Sequence, residues 1–376
     1  MALYNKYRPR NLRQVCGQEH VKNILANQAK NDSFSHSYLF VGPAGTGKTT
    51  VARILSAMVN CSTGPCIMPS PDDPHVKEIF SASNQSDVIE LDAATNSSVN
   101  NIREMRDSMQ LAPMMMRKKI YIMDECHRFS TEAWEALLKT IEEPPSHLMF
   151  IFATTDDDKV PETIKTRCMC LDFKHLSPKD ISAHLAVICQ CEKIKADQEA
   201  IDLISASCDG GLRRALSYLE AVLAQGSITV DSTKSLLGLT SSKCLREFLR
   251  TIATHSFADA MKISSESLSS GVDVEGFLIG LAEQFYYSVM VVTSGFDASF
   301  LPEEDRKGAR EIFDQFAEAL GDKTEPRNET RRAIRRLIHI VQETHKMTVF
   351  RIHPQHWINY TWLFLSQEIS SIKEKR

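Results

Sequence analysis

The residues best suited to chemistry are Gly42, Pro43, Ala44, Gly45, Thr46, Gly47, Lys48 and Thr49, a complete GxxxxGK[ST] run. Glycines let backbone N–H groups turn inward on phosphate oxygens, and a helix that starts there points its positive end at them. Lys48 reaches the outer phosphates, the Thr49 hydroxyl can hold Mg²⁺, and Thr50 continues the cradle. About 75 residues later the apolar run Ile120–Met123 ends in Asp124 and Glu125. Asp124 can hold Mg²⁺ directly or through water, and Glu125 can polarise a water that attacks a terminal phosphoryl group. Thr155 follows the run Phe150–Ala153 and either senses the terminal phosphate or is simply a β-branched strand end. Arg167, in Thr166-Arg167-Cys168, suits a neighbouring subunit's nucleotide, because guanidinium keeps its charge and its fork fits phosphate oxygens. A plain surface arginine is the alternative. Arg213 opens a later helix and is placed to reach back toward the nucleotide.

These groups need strands that end together. The runs Tyr38–Val41, Val88–Leu91, Ile120–Met123, Phe150–Ala153 and Cys168–Phe173 alternate with helical patterns from about 35 to 173. Such alternation predicts a mostly parallel sheet with helices on both faces, strand ends facing a ligand crevice. Residues 18–30 read as a preceding helix, and 49–60 as the helix after the phosphate loop. The four prolines between Gly64 and Pro74 predict a loop. After Phe173 only helical patterns remain; Ser177 caps the first and Pro178 takes its first position. Helices are expected over 178–191, 197–207, 210–225, 231–237, 242–254, 256–269, 273–293, 303–320, 328–346 and 355–372. Seams are expected near 174 and 240, giving domains 1–173, 174–240 and 241–376. The fold class is α/β plus all-α.

The chain has 376 residues, 43% hydrophobic and 24% charged, ordinary values for a protein with real cores. A net charge of −4 gives no global pull toward nucleic acid or membrane, so any DNA contact must use a local basic patch or backbone amides. Apolar stretches such as Ile181–Cys189 are too short to cross a bilayer, and residues 1–8 carry no signal core. A soluble, cytoplasmic protein is the expectation. Ten cysteines without a regular framework fit reduced thiols.

Taken together, the motifs resemble the AAA+ P-loop ATPases, and among them the clamp loaders of the bacterial DNA polymerase III gamma/tau family. The similar pieces are Lys6-Tyr7-Arg8-Pro9, Val15-Cys16-Gly17-Gln18-Glu19-His20, Ser35–Phe40, Val88–Asn96, Ala136–Pro145 and Ala153–Asp156. The resemblance covers about residues 1–240; beyond that a helical collar is inferred by analogy alone. It implies ATP and Mg²⁺ at Lys48, Thr49, Asp124 and Glu125. Thr155 would be a first sensor, Arg213 a second, and Arg167 the finger completing the adjacent subunit's site. Tyr7, Arg8, Pro9, Val15, Gly17 and Gln18 would border the adenine. Implied partners are a sliding clamp, companion subunits in a ring (a pentamer by resemblance) and primer-template DNA, within a DNA-directed DNA polymerase III-type holoenzyme.

Departures from the family pattern also inform. Cys61 and Cys66 match the first two of four zinc cysteines, but the next segment supplies only His75 and aspartates, so zinc is not expected. Arg214 stands where an aspartate is usual. The short form and missing cysteines are compatible with a phage-encoded origin, and the additional domains of the longer tau forms are expected to be absent. Candidate DNA contacts are the helix start after Asn96-Ser97-Ser98 and the loop Met114–Lys119. Arg331, Arg332, Arg335 and Arg336 read better as a solvated face or subunit contact. Two alternatives stay open: a DNA-translocating AAA+ motor of branch-migration type, and a scaffold that holds ATP without hydrolysing it.

Overall fold

Period-two burial organises the first part of the chain. In this computed structural model, which describes residues 2–81, 87–95, 99–238, 240, 242–269, 272–293, 303–322, 328–347 and 354–374, five strands form. They are β1 Ser37–Val41, β2 Val88–Asp92, β3 Lys119–Asp124, β4 Leu148–Thr154 and β5 Met169–Asp172. All pair in parallel, in the order β2-β3-β4-β1-β5. Tyr38, Phe40, Ile120, Ile122, Met149 and Ile151 enter one core, with helix Lys48–Asn60. Leu39, Tyr121, Met123, Phe150 and Phe152 enter the other, with helix Thr131–Glu142. A sheet covered on both faces needs apolar residues at both phases, which is why these strands read as continuous apolar runs.

Packing rather than propensity places the helix after the phosphate loop. Lys48–Asn60 begins with β-branched Thr49, Thr50 and Val51, which are weak helix formers. It buries Val51, Ile54, Leu55, Met58 and Val59 completely or nearly so. At roughly 1.5–3 kcal/mol for each large apolar side chain, this burial outweighs the propensity deficit of about 0.5 kcal/mol per residue. On the opposite face Trp134 meets Phe152 with ring centroids 5.3 Å apart. Ser130 starts that helix by accepting from Ala133 N–H at 3.2 Å.

The chain divides into two compact units, Met1–Thr229 and Val230–Arg376. The first contains the sheet and three helices beyond it, Pro178–Cys191, Gln198–Ala206 and Leu212–Ala224. Ser177 caps the first of these through Asp180 N–H, with Pro178 at its start, as its sequence predicts. The second unit is helical, with Phe248, Phe277, Phe285, Phe316 and Trp362 in its core. No helix among the described residues is long and apolar enough to cross a membrane.

The sequence reading placed a loop from Gly64 to Pro74 and named no helix directly after it. Pro74–Phe80 follows the proline-rich loop, and Asp73 caps it by accepting from the N–H groups of His75 and Val76. The cue was Asp-Pro, a cap followed by a favoured first residue. Asp73 also accepts from Ser62 N–H at 2.9 Å, from the Ser62 hydroxyl and from the Cys61 thiol at 3.4 Å. His75 Nδ1 lies 2.9 Å from the Asn60 carbonyl. The Cys61 thiol thus meets a carboxylate and the His75 ring a backbone carbonyl, and both contacts hold the loop. Burial alone would raise the Asp73 pKa, but the Ser62, Val76 and Cys61 hydrogen bonds outweigh it and hold the carboxyl at about 2. A lowered folded-state value means the stabilisation is present at neutral pH and is lost as pH falls from the usual 3.8 through about 2. Asp73→Ala is expected to cost about 1–3 kcal/mol in urea denaturation at pH 7, because buried donors lose their acceptor. The gap to wild type should narrow toward pH 2; a gap unchanged with pH would refute this account.

Candidate active site

The phosphate loop leaves β1 through a passage only glycine fits. Gly42 has φ +147°, and a Cβ there would stand 2.1 Å from the Phe173 carbonyl oxygen, at the end of β5. Gly47 has φ +103° and open space around its missing Cβ, so its need for glycine is conformational. Helix Lys48–Asn60 begins immediately after it. The loop is braced by the Thr46 hydroxyl, which donates to the Pro43 carbonyl at 2.8 Å. Lys48 is 6% exposed, and its ammonium donates to the Gly42 and Pro43 carbonyls at 2.6 and 2.8 Å. Burial lowers the Lys48 pKa, while the Glu125 and Asp124 carboxylates pull it back up.

The two predicted carboxylates sit at the end of β3, beside that helix start. The Thr49 hydroxyl donates to Asp124 Oδ2 at 2.6 Å, and Glu125 N–H to Asp124 Oδ1 at 3.0 Å. These oxygen donors suit Mg²⁺, which takes one or two protein oxygens and fills its octahedron with phosphate and water. Glu125 adopts φ +52°, turning the chain sharply off the strand. Its Oε2 accepts from the Thr155 hydroxyl at 3.3 Å and lies 3.3 Å from His127 Nδ1. Thr155 stands just beyond β4, so adjacent parallel strand ends bring these groups together. His127 was not singled out in the sequence; its position two residues past the carboxylate was the available cue.

A cavity of ≈ 250 Å³ adjoins the loop. Tyr7, Arg8, Pro9 and Val15 line it, with Gly45, Thr46, Gly47, Thr50 and Arg213. Gly17 and Gln18 do not. Gln18 is buried and clasps the backbone of Lys174, donating to its carbonyl at 2.7 Å and accepting from its N–H at 3.1 Å. A Cβ on Gly17 would stand 2.7 Å from the Leu176 side chain. Both residues therefore shape the cavity's support rather than its wall. Arg8 Nε donates to the Thr50 hydroxyl at 3.3 Å, and burial, then Arg53, lowers its pKa. The Tyr7 hydroxyl donates to Glu192, which pushes its pKa up to about 12. Arg213 lies 5.1 Å over the Tyr4 ring, and Leu212 N–H donates to the Gly45 carbonyl at 3.1 Å. Tyr4, Cys16, Leu176, Leu212 and Leu216 also line the cavity. The sequence reading missed them; Tyr4 sits in a four-residue helix too short to show periodicity.

Arg167 is not near its own loop. It precedes β5, whose Met169 pairs with Tyr38 near the start of β1, whereas the phosphate loop leaves the opposite end. Tyr38 to Gly42 spans roughly 13 Å at 3.3 Å per residue. The exposed Arg167 guanidinium instead meets Glu142 Oε1 at 2.8 Å and the Thr163 carbonyl at 2.7 Å. Of the candidate DNA contacts, Asn96-Ser97-Ser98 lies outside the described residues. Lys119 is buried and donates to the Ser108 carbonyl, and Lys118 donates to that of Ser146. Met114 and Met115 are exposed, on a loop whose N–H groups converge on buried Asp87. In the second unit Arg331 turns onto the Val292 carbonyl and Arg336 meets Glu368 at 3.2 Å, while Arg332 and Arg335 are exposed.

Residues 17–177 match the family described as DNA polymerase III, delta subunit. Residues 180–228 match the DNA polymerase III clamp loader subunit ATPase lid domain. The chain is 39% identical to the DNA polymerase III subunit tau of Bacillus subtilis over 72% of this chain and 48% of that protein. It is 37% identical to the gamma/tau subunit of Mycobacterium tuberculosis H37Rv over 76% and 50%. For the Escherichia coli K12 tau subunit the figures are 34%, 78% and 46%. The chain thus spans about half the length of the curated relatives it matches. Among solved structures it is similar to the Thermotoga maritima RuvB Holliday junction branch migration motor, at 18% identity and TM-score 0.48, over 65% of this chain and 79% of that one. With the loop, the paired carboxylates and the lid in one compact unit, and with these gamma/tau relatives, the chain belongs to the clamp-loader family of DNA polymerase III gamma/tau subunits.

Proposed function

We propose that this chain is an ATP-hydrolysing motor subunit of a sliding-clamp loader, working in the cytoplasm within a DNA polymerase III-type holoenzyme. The observation that carries this reading is the Thr49–Asp124 contact beside Glu125, at the mouth of a glycine loop that holds Lys48. ATP would lie with its phosphates on residues 42–50 and its base in the cavity bordered by Tyr7, Arg8, Pro9 and Val15. Bound Mg²⁺ would neutralise charge on the transferring phosphoryl group. Thr49 and Asp124 hold that ion's place, and Glu125 orients and deprotonates the attacking water. Thr155 and Arg213 act as sensors. The finer division into core 1–173, lid 174–240 and collar 241–376 belongs to the same proposal.

Arg167 supports action across a subunit boundary. It stands exposed at the wrong end of β1 for its own nucleotide, where a neighbour in a ring can receive it. Hydrolysis then depends on assembly, and ATP binding orders a ring, a pentamer in this reading, that opens a clamp around primer-template DNA. The lid contact from Leu212 to Gly45 gives the loop a direct mechanical connection to the helices that would move.

Two substitutions test the assignment in the assembled loader. Lys48→Ala should abolish ATP binding, read by equilibrium titration, and with it clamp loading. Arg167→Ala should leave ATP affinity intact while lowering clamp- and DNA-stimulated turnover by roughly 10³-fold, the scale of a lost arginine finger. The isolated chain should turn over slowly and be indifferent to the Arg167 change. Undiminished clamp loading by either variant would overturn the corresponding role.

A further inference from the structure

His127 occupies the turn Cys126–Arg128, directly after Glu125, and its side chain is 12% exposed. Its Nδ1 has two neighbours, Thr154 Oγ1 at 3.1 Å and Glu125 Oε2 at 3.3 Å. The hydrogen inventory around them is closed. The Thr154 hydroxyl gives its one proton to the Asp156 carbonyl at 2.9 Å and accepts from Asp156 N–H at 3.0 Å. Toward His127 it can only accept. Ionised Glu125 also only accepts. Nδ1 must therefore carry the ring proton and share it between these two oxygens.

We infer that His127 is a positioning residue for Glu125, donating from Nδ1 to orient the carboxylate that activates the attacking water. This rests on the general-base reading of Glu125 given above. Glu125 sits on a left-handed turn residue, and its flexible side chain must be held within reach of one water. Thr155 supplies one donor to Oε2 from just beyond the end of β4. His127 supplies the second, and its own ring is fixed by fully buried Thr154, the last residue of β4. Two consecutive threonines thus index the catalytic carboxylate to the middle of the sheet, one directly and one through the imidazole.

The test exploits which ring nitrogen matters. Asparagine places its amide where Nδ1 lies, and glutamine places its amide where Nε2 lies. In the assembled loader, His127→Ala should lower kcat about tenfold with KM for ATP unchanged, a part of the 10²–10⁴-fold that general-base catalysis supplies. His127→Asn should recover most of that loss and His127→Gln should not. Equal recovery by both amides, an unimpaired alanine variant, or a loss expressed in KM would overturn the inference. Affinity for a non-hydrolysable ATP analogue and the melting temperature, measured on each variant, should match wild type; a fall in both that tracks kcat would assign His127 a structural role and overturn it equally. Glu125→Gln separates the two readings. If it turns over at the wild-type rate, the general-base reading fails; if it is inactive while His127→Ala turns over at the wild-type rate, only the His127 inference fails.

Discussion

The site depends on the two oxygens of Asp124. One accepts from Thr49, fixing the start of the phosphate-loop helix against β3; the other accepts from Glu125 N–H, fixing the turn that presents the second carboxylate. A single side chain therefore sets the distance between the loop and the Glu125 carboxylate. Hydrogen bonds to a carboxylate are among the stronger ones a protein makes. The fold supplies the rest by ending β1, β3 and β4 side by side, so that Lys48, Asp124 and Thr155 need no long reach.

Much of this was legible in the order of residues, because its causes are local. A glycine loop between an apolar run and a helical pattern, and an apolar run closed by Asp-Glu, are properties of short segments. The five strands were found for the same reason, since a sheet buried on both faces forces continuous apolar runs. What the sequence hid depends on tertiary proximity. Gln18 belongs to the same motif as Val15, yet its amide turns to the Lys174 backbone while Val15 lines the cavity. Tyr4 reaches the cavity from a helix of one turn. The Arg167–Glu142 pair joins residues 25 positions apart in a contact no periodicity encodes. His127 gained meaning only when Thr154 and Glu125 were seen on either side of its Nδ1.

The lid is tied to the phosphate loop by backbone as well as side chains. Leu212 N–H reaches Gly45, and a Cβ on Gly211 would stand 3.3 Å from the Ala44 carbonyl. Backbone contacts of this kind carry position rather than chemistry, so they tolerate change in the surrounding residues. Arg214, two residues beyond Leu212, turns to the Asp209 carboxylate instead.

Helix Thr131–Glu142 runs from the turn that follows Glu125 to the carboxylate that meets Arg167. Twelve residues make a rod of about 18 Å. Pivoted at its capped end by five degrees, such a rod displaces its far tip by about 1.5 Å, half the length of a hydrogen bond. A small rearrangement at the Glu125 turn would thus arrive, amplified, at the Arg167 guanidinium.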